Sequence, residues 1–510
     1  MTLNAVQTSA TFARASSDPL AFNRQFIGGP DVNGAPPEWK RMEGPGNMRL
    51  ACHPGLPSTT AAGPSVKLLC LGDVFDPFAP DKPTDEIVRQ LAADADSFQR
   101  LEEKCAALGG RWVMLASLGA QMRLYPDACG LRSVFYHRAP DTGDVWVASQ
   151  PGLLAGELGI PRNELRARAF LQAPRNASWP GYITAYDDIY QLWPNHYLDL
   201  ASGEQIRFWP NGPIPAQTLD AAVERMMTTL PAILLSASRR RHLSFALTGG
   251  YDSRLLFAVS RPLHREMDFY VVTSPGSAPH DLSIARRLAR LAGVPLRVIR
   301  AKPCQPATAE LFRRNVDDLY LDPARASIRS FESIPEGSFY VSGNIAEVGR
   351  CFYYRDGRVP ENPTVDTLCR VSEHEGNVVA REVFAGWLSG VPRDIGSRLL
   401  DLFYWEHRLG AWLSSAFTGF DTFRDVLAPF NCRDLLVSML GVGVEYRREP
   451  YQLFREVCRR TFPEVLEIPF NTSLSTRVSR RVRGLLPWRV TKMMDDARRW
   501  YAGFDQTLWE

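Results

Sequence analysis

The stretch Leu247-Thr248-Gly249-Gly250-Tyr251-Asp252-Ser253-Arg254 constrains this chain more than any other. It ends an apolar run, HLSFALTGG, that reads as a buried strand, and a helical pattern follows from Asp252. Two adjacent glycines let the backbone turn sharply and come close to a ligand. The first turn of the following helix offers N–H groups without intrahelical partners and a partial positive charge, which suits an anion. Thr248 and Ser253 add hydroxyl donors. Asp252 would repel a bare phosphate, but it fits where Mg2+ bridges it to phosphate oxygens. The same residues also suit a plain strand–turn–helix, with glycine for the turn and Asp or Ser as the cap. The loop has neither the lysine of a Walker loop nor the spacing of GxGxxG.

The surrounding pattern agrees with a nucleotide-type sheet. A helix (LDAAVERMMTTLPAILLSASRR) leads into the strand. A strand (DFYVVTS), a helix (DLSIARRLARLAG) and a strand (PLRVIRA) follow the loop. This βαβαβ order predicts a parallel sheet with crossover helices. Upstream, short alternating runs such as RWVMLASLG, AQMRLYPDACG and LRSVFYHRA are separated by turns and read as hairpins. NGPIPAQ at 211–217 is the linker candidate. The reading is an irregular polar lead-in over 1–60, a β-rich domain over 61–212, and a parallel-sheet domain over 213–510 that is mostly helical after about residue 330.

At 510 residues, two domains with a helical annex are expected. No stretch approaches the ~20 uninterrupted apolar residues of a membrane span, and the first twenty residues hold no apolar signal core. The nine cysteines are scattered singly, with no CxxC pair, which argues for reduced thiols and a cytoplasmic location. The net charge of +3 makes no case for a nucleic-acid partner. Eight histidines without HxH or HExxH spacing give no zinc argument. Lysine occurs only at 40, 67, 82, 104, 302 and 492, so few positions can hold a catalytic lysine.

LTGGYDSR resembles the SGGxDS pyrophosphatase loop of the asparagine synthetase family, which includes β-lactam synthetase and the lasso-peptide cyclases. DFYVVTSPGSAPHDLSIARRLARLAGVPLRVI resembles that family's next strand, Gly-Ser turn and Asp-bearing helix. YVSGNIAEVGRCFYY resembles its second phosphate and metal loop, SGEGSDExxGGY. WEHRLGAWLSSAF, RDVLAPFNCRDLLVSML and FREVCRRTFPEVLEIPFN resemble its later helices and the segment before its lysine loop. These blocks run in family order over about 240–475. GRWVMLASLGAQMRLYPDACGLRSVFY and YQLWPNHYLDLASGEQIRFW resemble its glutaminase-like domain. The resemblance implies an α/β plus α+β architecture. An N-terminal Ntn-hydrolase-like β-rich sandwich would precede a C-terminal parallel-sheet ATP-pyrophosphatase domain, adenine nucleotide α-hydrolase-like, with a helical extension.

Three departures matter. Glutaminases of this type use an N-terminal cysteine whose own amine is the base; here Thr2 follows Met1 and the first cysteine is Cys52, so the domain is expected to be inactive. In the second loop the family's metal-binding acid becomes Glu347 and the next acid becomes Val348. No lysine lies near 468–476, so either Arg477, Arg480 or Arg481 supplies the missing charge, which suits Arg because it binds pyrophosphate bidentately, or adenylation is slow, or the chemistry differs. The same arginines also read as a solvated basic helix. Asp281, Arg286 and Arg287 lie on the second helix of the parallel-sheet domain, where the resemblance gives Asp281 a capping role or a place near the ribose. Glu406, His407 and Arg408 lie on a stretch equivalent to the family's substrate-side helices. Tyr353 and Tyr354 read as core packing or as lining of an acceptor pocket, and Asn431 as structural.

By resemblance, residues 248–253 hold the triphosphate of ATP, and Asp252 and Glu347 hold Mg2+. Backbone groups of Leu247, Val271 and Gly343 receive the adenosine. The expected reaction is AMP-forming ligation of a small-molecule or peptide carboxylate to an amine, in the tailoring of a specialised metabolite or peptide. A homodimer is left open. Two rivals also stay open: a degenerate relative that binds nucleotide or a partner without catalysis, and an ammonia-dependent asparagine synthetase.

Overall fold

A computed structural model describes residues 20–45, 48–171, 178–273, 279–300, 305–317, 319, 331–354 and 362–470. Its first half holds β1 (Phe26–Gly29), β2 (Lys40–Glu43), β3 (Arg49–Cys52), β4 (Ser58–Ala62) and β5 (Val66–Phe75). Helices α1 (Thr84–Asp94) and α2 (Phe98–Ala106) precede β6 (Gly109–Leu118), β7 (Gln121–Pro126), β8 (Phe135–Arg138) and β9 (Val145–Ala148). Helices α3 (Pro151–Leu158) and α4 (Glu164–Leu171) come next, then β10 (Tyr190–Gln191), β11 (His196–Asp199) and β12 (Gln205–Arg207).

These strands form two six-stranded sheets, ordered β10-β8-β9-β1-β3-β2 and β12-β11-β7-β6-β5-β4. The strand pairings within them are antiparallel. The period-two alternation of strand side chains divides their residues between two layers. Leu69 and Leu71 of β5 and Val113 and Leu115 of β6 face Phe26, Val145 and Val147 of the other sheet. Val66, Leu68, Trp112 and Met114 point the opposite way, onto Ile87, Leu91, Phe98 and Leu101 of α1 and α2. The sandwich thus has an apolar centre and a helical cover.

Residues 26–62, read from the sequence as part of an irregular lead-in, supply four of these strands. β1 is the apolar four-residue segment FIGG and β2 is the polar segment KRME. Neither is long enough to display an alternating pattern. Cys52 lies fully buried in β3 between partners Phe26 and Lys40. Burial pushes its thiol up to about 12, which disfavours the reactive thiolate.

The second half begins with α5 (Leu219–Ser238), whose cap, Thr218, accepts the Ala221 N–H at 3.1 Å. β13 (Leu243–Ala246), α6 (Tyr251–Val259), β14 (Met267–Thr273), α7 (Pro279–Ala292) and β15 (Leu296–Arg300) follow, then β16 (Phe339–Val341) and β17 (Asp425–Leu427). Their order is β15-β14-β13-β16-β17, with all four pairings parallel. The chain therefore winds outward from β13 in one direction and then in the other. That reversal makes the carboxyl ends of β13 and β16 the switch point of the sheet, where open α/β sheets form a crevice that receives ligands. One apolar cluster runs from Ile27 and Phe135 of the sandwich to Phe245, Leu247 and Val341 of the parallel sheet.

A buried ion network also joins the halves. Arg111 reaches both carboxylate oxygens of Asp421 at 2.8 and 2.9 Å. Arg132 donates to Asp421 at 2.9 Å, and Arg241 donates to Asp425 at 2.8 Å and Asp73 at 2.5 Å. Burial alone would raise the Asp425 carboxyl, but Arg24, Arg132, Arg241 and Arg111 together hold it well below the usual range.

Candidate functional site

The crevice between β13 and β16 gathers most of the loop residues singled out from the sequence. β13 ends at Ala246, and the Leu247 N–H still donates to the Tyr270 carbonyl at 2.8 Å. The chain then leaves the sheet through Thr248 and Gly249 and enters α6 at Tyr251. Gly250 is the helix cap and brings no side chain to the first turn's N–H groups. Leu247 and Val271 are buried in the sheet core, so only their backbones could face a ligand. Val271 sits in β14 one residue beyond the last partner of β13, where that neighbour turns away.

The loop's polar groups are engaged with one another. Thr248 Oγ1 and Ser253 Oγ lie 2.7 Å apart, and Ser253 also donates to the Thr248 carbonyl at 3.1 Å. The Gly249 N–H donates to Asp281 Oδ1 at 3.0 Å. Asp281, placed by sequence as a cap, thus holds the loop from the start of α7.

The second loop, after β16, packs directly on the first. A side chain at Gly343 would begin 3.4 Å from the carbonyl carbon of Asp252 and the nitrogen of Ser253. Ile345, fully buried, has φ of +84° and ψ of −33°. A branched residue there is strained, and it stands where the resemblance has glycine.

The strain delivers Glu347 to the site. Arg350 Nη2 lies 2.6 Å from Asp252 Oδ2 and 3.6 Å from Glu347 Oε1. The two acids, 95 positions apart in the chain, therefore face one nitrogen. Asp252 Oδ1 and Glu347 Oε2 are buried without hydrogen-bond partners among the described residues. Desolvation raises the Asp252 carboxyl to about 7, with the like charge of Glu347 adding to it and Arg350 opposing it. Arg350 was not singled out from the sequence. Its signal was the spacing of three from Glu347, which puts both on one side of a helical turn.

An aromatic wall closes one side. Phe470 stacks on Tyr251 at 3.9 Å, and Tyr451 meets Tyr251 edge-on at 4.6 Å. Arg254, also buried, donates to the carbonyls of Val465, Ile468 and Pro469, which fixes the chain up to that stack. Arg477 and Arg480 lie outside the described residues. Phe470, the last described residue of this segment, stacks on Tyr251 at the start of α6.

Other sequence candidates have partners within the fold. Glu406 accepts two bonds from Arg207, at 2.6 and 2.8 Å, and one from Trp387 at 2.7 Å, so it ties β12 to the helical region. His407 stacks on Phe403 at 4.9 Å. Tyr353 and Tyr354 are buried, while Arg286 and Arg287 are exposed. Asn431 bonds to Gly110, Asp127 and Cys129, a packing role.

Among the described residues no group of three or more His, Cys, Asp or Glu side chains could hold a metal. Two hard carboxylates with one unpaired oxygen each do fit Mg2+ arriving on a phosphate, because that ion usually takes one or two protein acids and completes its shell with phosphate and water. Among the described residues no helix is long and apolar enough to cross a membrane.

No protein-family model matches the chain, and no curated protein matches it. Among solved structures it is similar to glutamine phosphoribosylpyrophosphate amidotransferase from B. subtilis complexed with ADP and GMP. That match has 12% identity over 66% of this chain and 72% of that one, with a TM-score of 0.24. It is also similar to NMN synthetase from Francisella tularensis, at 11% identity over 38% of this chain and 95% of that one, with a TM-score of 0.21. A structure of the allosteric regulatory enzyme of purine biosynthesis matches at 11% identity over 57% and 62%, with a TM-score of 0.23. At these scores the likenesses carry no argument.

Proposed function

We propose that the protein is an ATP-dependent, AMP-forming ligase that joins a carboxylate to an amine. The observation that carries this reading is the meeting of Asp252 and Glu347 on a single nitrogen at the switch point of a parallel sheet. In this reading the sandwich is a glutaminase-like domain without its nucleophile, and the parallel sheet is an ATP-pyrophosphatase domain.

The substrate in this reading is ATP in complex with Mg2+, an ion that would supply charge neutralisation at the phosphates. Asp252 and Glu347 orient that complex. The first turn of α6, capped only by glycine, faces the phosphates with its N–H groups. The backbones of Leu247, Val271 and Gly343 line the place for adenosine. A substrate carboxylate oxygen attacks the α-phosphorus and the bridge to the β-phosphate breaks, so pyrophosphate leaves and an acyl-adenylate remains. An amine nitrogen then attacks the acyl carbon. AMP departs with the electrons of the broken C–O bond, and the amine loses a proton. The protein contributes mainly position and electrostatic stabilisation. Arg477 or Arg480 would carry the positive charge toward pyrophosphate. The amine comes from a second substrate or from the same molecule, because Cys52 is buried and cannot release ammonia from glutamine. The setting is cytoplasmic.

A second reading, a nucleotide-binding relative without catalysis, is favoured by the pairing of Arg350 with both acids. Pyrophosphate release with ATP, Mg2+ and a panel of carboxylates separates the two. The ligase predicts carboxylate-stimulated release that falls about 100-fold or more in Asp252→Ala. ATP binding without stimulated release by any carboxylate would favour the second reading.

A further inference from the structure

The crevice contains an internal counterpart for each half of a metal–phosphate ligand. A carboxylate, Asp281, sits on the Gly249 N–H at 3.0 Å, as a phosphate oxygen would. A guanidinium, Arg350, sits between two acids, as a divalent cation would. The arginine makes few hydrogen bonds for so central a charge. It uses one nitrogen, Nη2, for both acids, and only the 2.6 Å contact with Asp252 is a hydrogen bond. It makes no two-pronged fork to either carboxylate, the geometry that gives Arg–carboxylate pairs their strength. Its Nε is buried without a partner among the described residues. Its guanidinium carbon lies 5.4 Å from the centre of the Tyr451 ring, so an aromatic face stands beside it.

We infer that Arg350 is a resident counter-ion, which closes the acid pair to free divalent cations and yields it only to a cation carried on a nucleotide triphosphate. The inference rests on the nucleotide reading of this site. The physical reason is charge. With Arg350 in place, a free Mg2+ must displace a cation from two carboxylates and bring no anion of its own. A nucleotide-borne ion brings phosphate oxygens, to which the released guanidinium can turn. Arg350 is thus a positioning residue that makes metal uptake conditional on nucleotide.

The test is Mn2+ binding to the full-length protein, read by electron paramagnetic resonance with and without α,β-methylene-ATP. Wild type should take up Mn2+ with the nucleotide analogue and bind it weakly alone. Arg350→Gln should bind Mn2+ without nucleotide about tenfold tighter or more. Arg350→Lys, which keeps the charge, should restore exclusion. Adding Asp252→Asn to Arg350→Gln should abolish the gain, which separates the site from adventitious binding elsewhere. The inference is overturned if Arg350→Gln gains no nucleotide-free affinity, or if wild type already binds Mn2+ as tightly as that variant. If Arg350→Gln gains affinity while no variant binds the analogue, the counter-ion role stands and the nucleotide reading fails.

Discussion

Ile345 shows how a single residue can shape the site from behind. Its backbone sits at φ +84° although its side chain is branched, a conformation that costs about 1–3 kcal/mol. Burial of the side chain offsets that cost. Ile345→Ala should lose about 2–4 kcal/mol of stability, because it removes core atoms and keeps most of the strain. Ile345→Gly removes more atoms and relieves the strain, so it should be no less stable than the alanine variant. Urea unfolding checks this order; a glycine variant clearly less stable than alanine would show that the turn is unstrained. The sequence displayed Asp252, Glu347 and the glycines because ligand-binding loops concentrate such residues. It did not display Arg350 or Asp281 as partners. A residue's partner is fixed by how two loops fold together, and neither loop's sequence states that alone.

At the scale of elements, legibility followed length. β13, β14 and β15 and the helices between them could be read as βαβαβ because each has a clear period. β16 and β17 have three residues each, FYV and DVL, and vanish inside a stretch that reads as helical. They nevertheless complete the sheet and create its switch point. β11 carries a pH-sensitive side chain. Burial lowers the His196 imidazole to about 4, against the attraction of Glu406. Since the unfolded value is about 6.5, the unfolded chain takes up a proton that the folded chain refuses. The stabilisation is complete above pH ~6.5 and is lost as pH falls toward the folded value. Between pH 7 and pH 5 this amounts to at most about 2 kcal/mol. Urea titrations at both values should show a smaller acid loss for His196→Gln than for wild type; equal losses would remove His196 as the cause.

For the whole molecule, the decisive contacts join the two halves. Asp421 and Arg111 are 310 positions apart and form a two-pronged pair in the interior. Nothing local marks them in the sequence, where each is one charged residue among many. Asp421→Ala should cost about 3–5 kcal/mol, since it leaves Arg111 and Arg132 buried with an uncompensated charge. The double change Arg111→Met with Asp421→Leu should cost less than Asp421→Ala alone, as calorimetric melting can show. If Asp421→Ala melts like wild type, the network is not what fastens the sandwich to the parallel sheet.

Two acids serving one ion are central to the proposed chemistry. Isothermal titration of ATP, with and without Mg2+, into wild type, Asp252→Asn, Glu347→Gln and the double variant measures this directly. Each single change should weaken magnesium-dependent binding about tenfold or more, and the double change should cost clearly less than the sum of the two. Strictly additive losses, or binding indifferent to both acids, would mean that Asp252 and Glu347 do not share a ligand.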